Sequence, residues 1–71
     1  MAETGSRAWY RLHYAAHHFE LAVRFELGYG VAQSAPRAVV HYRVAAENGY
    51  AAAQYNLAIL YENGTGVAQD Y

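Results

Sequence analysis

Tyr14-Ala-Ala-His-His-Phe-Glu-Leu-Ala-Val-Arg-Phe-Glu-Leu-Gly-Tyr-Gly-Val-Ala-Gln33 and Tyr50-Ala-Ala-Ala-Gln-Tyr-Asn-Leu-Ala-Ile-Leu-Tyr-Glu-Asn-Gly-Thr-Gly-Val-Ala-Gln69 are one segment written twice. The copies lie thirty-six positions apart and share eleven identities in twenty positions. An alanine-rich chain would give about two by chance, and a fixed period of this length marks an array of helical pairs. Each copy opens on Tyr-Ala-Ala, carries Leu-Ala at its centre (Leu21-Ala22, Leu57-Ala58) and closes on Gly-x-Gly-Val-Ala-Gln. The period therefore sets the architecture before any single element is read.

Working outward from the first copy, no Gly, Pro, Asn or Asp occurs between Arg7 and Leu27. The repeat frame places a turn near His13, where the second copy has Gly49, but the first copy offers no residue suited to a positive φ. The sequence predicts one long helix over about 7–27, with residues 1–5 as a leader and Ser6 as its N-cap. Gly28 and Gly30 end it. Ser34 caps a second helix, Pro36 sits in its first turn where a missing N–H costs nothing, and Asn48-Gly49 stops it. Along that helix Ala38, Tyr42, Ala45 and Ala46 share one face, with Val39 beside them. A third helix spans about 51–62 and stops at Asn63-Gly64. Asp70 stands where Ser34 stood and should cap a fourth helix.

Composition bounds the function. Seventy-one residues make at most one domain, and a chain this short buries only roughly 60% of its unfolded surface. Cysteine is absent, so no disulfide framework or thiolate metal site exists. The five basic residues are scattered arginines and the net charge is -1, which lacks the concentrated charge that nucleic-acid binding rests on. The start Met-Ala-Glu-Thr-Gly-Ser has no secretion-signal pattern, and no run of about twenty apolar residues occurs. A soluble domain, cytoplasmic by default, is the expectation, with no cofactor and no membrane insertion.

The residues Ala53, Leu57, Ala58, Tyr61, Gly64, Gly66, Val67 and Asp70, with Ala38, Tyr42, Ala45, Ala46 and Gly49, resemble the Sel-1-like repeat, a relative of the tetratricopeptide repeat. His41 stands where that pattern usually has tryptophan. The resemblance covers about residues 14–71 and implies an all-α solenoid of antiparallel helix pairs. It divides the chain into a capping segment at 6–13, a first repeat at 14–49, and a second repeat at 50–71 that ends after its first helix and loop. This arrangement implies either a piece of a longer array or a surface filled by another molecule, since such arrays need about three repeats. The first copy departs from the pattern at His17, in place of Ala53, and at Arg24, in place of Leu60. Terminal repeats are atypical because they face solvent.

The resemblance also implies packing roles. Ala22 and Ala58 would allow close helix approach, Leu57, Tyr42 and Tyr61 would fill the core, and Val31 and Val67 would plug the hairpin ends. In tetratricopeptide-like arrays the first helices line the concave groove, which makes Phe19, Val23, Glu26, Tyr55, Ile59 and Glu62 the partner-contact candidates. An apolar strip with an acidic rim suits a peptide or partner helix. The implied function is a non-enzymatic adaptor that binds a protein or peptide. The alternative is a scaffold that pairs with another copy as a homodimer, and a hydrolase comes third, because no nucleophile and base are paired.

Other motifs read as structure. His13 and His17 have the four-residue spacing of helical zinc ligands, but the sequence places no third ligand, so no metal is assigned. Gly28-Tyr-Gly30 and Gly64-Thr-Gly66 follow no strand and have no P-loop lysine, so turn geometry explains them. Asn63-Gly-Thr65 fits the glycosylation acceptor pattern but arises from the helix stop.

Overall fold

The computed structural model describes residues 2–66, and within them the protein is all-α. Three helices follow one another: α1 (Ala2–Leu27), α2 (Ala35–Glu47) and α3 (Ala51–Asn63). The central helix α2 packs against both neighbours. Together they form a slab of 44 × 32 × 13 Å, whose smallest dimension is close to one helix diameter of about 10–12 Å. The helices thus lie side by side in one layer.

α1 crosses residue 13 without a turn, as its lack of breakers predicts. It begins at Ala2, so the leader and the Ser6 cap expected from sequence are replaced by helix. Alanine and glutamate at positions 2 and 3 are good helix formers, and one glycine costs only about 1 kcal/mol in a helix interior. At its other end Gly28 takes φ +76°, and its N–H donates to the Arg24 carbonyl at 2.7 Å. Ser34 caps α2 as expected: its Oγ accepts from the Arg37 N–H at 3.3 Å, and Pro36 lies in the first turn. α3 ends at Gly64, which takes φ +67°. Asp70 and Val67 lie outside the described residues, while Val31 is half-buried.

Among the described residues the core is built mostly from alanines, with Val39, Leu60 and one aromatic ring. Ala15 and Ala22 of α1, Ala38, Val39, Tyr42 and Ala45 of α2, and Ala53 and Leu60 of α3 are buried. Phe19, Val23, Phe25, Ala46, Tyr50 and Leu57 pack around them half-buried. Alanines at the crossings bring the backbones close, and the single Tyr42 ring fills the remaining space.

Two packing expectations require correction. Ala58 is exposed, and Tyr61 is 40% exposed rather than core. The cause is that α1 and α3 meet α2 by different sides. α1 turns its Ala15/Ala22 stripe to α2, whereas α3 offers Ala53 and Leu60. The stripe of α3 that repeats Ala15/Ala22, namely Ala51 and Ala58, faces away. A paired substitution reads this directly. Ala22→Leu should overpack the α1/α2 crossing and lower stability by about 1–3 kcal/mol. Ala58→Leu should stay within about 0.5 kcal/mol of the parent in a thermal or urea melt, as surface changes do.

Candidate functional site

The polar centre of the molecule is the Tyr42 hydroxyl. It donates to Glu26 Oε1 of α1 at 2.6 Å and accepts from Asn56 Nδ2 of α3 at 3.4 Å, so one group on α2 ties both flanking helices. Phe19 meets the Tyr42 ring edge-on at 5.7 Å and stacks on Tyr50 at 4.9 Å. Burial, together with the Glu26 carboxylate, pushes the Tyr42 phenol up to about 12. The folded state therefore holds this proton more tightly than the unfolded chain, whose tyrosine titrates near 10. That contribution to stability is complete below about pH 10 and is lost as pH rises from 10 through 12, on the order of 2–3 kcal/mol. A series of urea melts should show stability falling through this alkaline window, and Tyr42→Phe should flatten the fall.

Of the six partner-contact candidates, the three on α1 are already engaged within the first hairpin. Phe19 and Val23 pack against the core, and Glu26 accepts the Tyr42 bond. Their counterparts on α3 lie at the surface: Tyr55 is 70% exposed, Ile59 38%, and Glu62 is exposed. One sequence pattern thus has two environments, because α2 lies over the α1 stripe and no described helix lies over the α3 stripe. Phe19 and Val23 also border an open depression of about 610 Å³, shared with Glu20, Arg24, Tyr29 and Gly30.

The two edges of the slab differ in chemistry. The side of α3 that meets α2 is apolar at Ala53 and Leu60, and the matching positions of α1 are His17 and Arg24, both exposed. Arg24 pairs there with Glu20 at 2.8 Å. At those matching positions α1 is polar, although elsewhere along its length it exposes Trp9, Tyr10, Leu12, Tyr14 and Leu27. The α3 edge presents Tyr55, Ala58, Ile59 and Tyr61 to solvent. Tyr61 is held by Arg43, which donates to its hydroxyl and lies 5.9 Å from its ring centroid.

The histidines divide in a way their sequence spacing does not suggest. His13 stacks on Trp9 at 3.8 Å, with its Nδ1 2.9 Å from the Trp9 carbonyl, and His17 lies edge-on to His18. Across the α1/α2 crossing, His18 Nδ1 and His41 Nδ1 are 2.9 Å apart. Burial, then the neighbouring His41 and His17, lower the His18 pKa below its usual value. No sequence spacing signals this pair, because twenty-three residues and a loop separate its members.

One-layer packing, a thirty-six-residue period and glycine-closed helix ends define a helical-hairpin repeat protein. The chain matches the Sel1 repeat at residues 15–50 and 51–71, and it belongs to the Sel1 repeat family. Sel1 repeats are generally non-catalytic protein-interaction modules. No curated protein and no solved structure matches the chain. No helix among the described residues is long and apolar enough to cross a membrane.

Proposed function

We propose that this chain is a non-enzymatic interaction module that takes a partner helix on the outward stripe of α3. Tyr55, Ile59 and Glu62 make the contacts there, as counterparts of Phe19, Val23 and Glu26 in the first hairpin. The observation that carries this reading is that one repeated stripe has two environments: Ala15 and Ala22 of α1 are buried against α2, whereas Ala51, Tyr55, Ala58 and Ile59 of α3 are exposed. The first hairpin supplies the template for the partner. The α1 stripe receives a helix whose small residues sit against Ala15 and Ala22 and whose Tyr42 hydroxyl reaches Glu26. A helix with small residues on one face fits the α3 stripe.

The test uses a labelled peptide with the α2 sequence, residues 34–49, as the surrogate partner and fluorescence anisotropy as the readout. Tyr55→Ala/Ile59→Ala should keep the parent helix content, because both side chains are largely outside the core. Its affinity for the peptide should fall about tenfold or more, as loss of exposed aromatic and aliphatic anchors does. A folded double variant that binds the peptide as tightly as the parent contradicts the proposal, and so does a parent chain that shows no binding.

A further inference from the structure

The His18–His41 contact joins two helices through nitrogen atoms alone. At 2.9 Å, Nδ1 to Nδ1, one ring donates its hydrogen and the other accepts it. The ring planes are 19° apart. Each ring is held from behind by an aromatic neighbour: His41 lies parallel to Phe25 at 5.5 Å, and His18 meets Tyr14 edge-on at 4.6 Å. Both imidazoles are half-buried, which limits competition from bulk water.

We propose that His18 and His41 form a two-imidazole site for a borderline divalent transition-metal ion, zinc, nickel or copper, that bridges α1 and α2 with water in the remaining positions. Imidazole suits these ions. With metal–nitrogen bonds of about 2.0–2.1 Å and tetrahedral angles, the two nitrogens need a separation of about 3.3–3.4 Å. The pair must open by about half an ångström, and each ring must turn by about 35° so that its Nδ1 lone pair, now aimed at the other nitrogen, points at the ion. Both Nδ1 atoms then offer lone pairs, and the ring that had donated carries its hydrogen on Nε2 instead, so no proton need be lost. No described group of three or more His, Cys, Asp or Glu residues is arranged to hold a metal, so the site rests on these two ligands and binds with modest affinity. It differs from the His13/His17 spacing that the sequence offers, because His13 is turned toward Trp9.

The direct test is NMR of the unmodified chain at about pH 7.5, where imidazoles are largely neutral. The four histidine ring signals are followed during substoichiometric addition of Ni²⁺ or Cu²⁺. His13→Gln and His17→Gln, both at exposed positions, assign their own signals and leave those of His18 and His41. The expected result is selective and simultaneous broadening of the His18 and His41 signals. Zn²⁺ at about 1 mM should also raise the melting temperature by about 5 °C, since an ion that binds only the folded state stabilises it. His41→Gln should abolish that rise. Broadening that starts at His13 or His17, no selective broadening up to about 1 mM metal, or an undiminished rise in folded His41→Gln overturns the site and leaves the pair a hydrogen-bonded contact only.

Discussion

Tyr42→Ala is expected to remove about half or more of the chain's folding stability. Tyr42 is the largest fully buried side chain, and its ring packs against Phe19 while its hydroxyl connects α1 and α3. Truncating a buried aromatic residue to alanine costs about 3–5 kcal/mol. A domain of this size has a total stability of only about 4–10 kcal/mol at the usual 0.05–0.15 per residue. The alanine core around Tyr42 cannot collapse to fill the space, because Ala15, Ala22, Ala38, Ala45 and Ala53 have no longer rotamers to offer. Tyr42→Phe separates the ring from the hydroxyl. It keeps the packing, leaves the Glu26 carboxylate without its donor, and should cost about 1–3 kcal/mol. Urea unfolding followed by circular dichroism at 222 nm on both variants checks the pair, with a far larger drop in midpoint expected for alanine than for phenylalanine.

The second large effect falls on a loop. A Cβ at Gly66 would lie 2.7 Å from the Ala35 carbonyl oxygen and 2.8 Å from its carbon, and Gly66 already takes φ +78°. These are backbone atoms at the start of α2, which cannot rotate away. Gly66→Ala therefore combines left-handed backbone strain with a steric overlap that pushes the second loop off α2, and it should cost about 3 kcal/mol. Gly30 is its counterpart in the first copy and takes φ +73°, but a Cβ there would meet nothing within 4 Å. Gly30→Ala should cost only the conformational part, about 1 kcal/mol. The difference between the two melts isolates the contact between the loop and α2. Equal losses would place that contact outside the stability of the fold.

These two glycines also show where sequence reading stops. The repeat frame makes Gly30 and Gly66 equivalent, and it predicts their turn geometry correctly because φ is a local property. It does not reveal that Gly66 alone has a preceding helix to press against. The same limit governs the stripes of α1 and α3. Ala22 and Ala58 occupy one position of the pattern, yet one is buried and the other open, because burial depends on which neighbour lies across the helix. Helix ends at Gly28, Ser34, Gly49 and Gly64 were legible from single residues. The polar positions of α1 were legible too, since His17 and Arg24 break the pattern where solvent replaces a neighbour. The His18–His41 contact and the Tyr42–Glu26 bond were not, since both depend on how α1 and α2 cross.

The α3 stripe that repeats the α2-covered stripe of α1 is exposed, and the proposed function has it receive a helix. The most direct measurement is an ¹⁵N–¹H correlation spectrum of the chain titrated with the α2-sequence peptide, residues 34–49. The expected result is shift changes concentrated at Ala51, Tyr55, Ala58, Ile59 and Glu62 on α3, with His17, Glu20 and Arg24 unmoved. Changes centred on those α1 positions, or a spectrum that the peptide leaves unaltered, would contradict it.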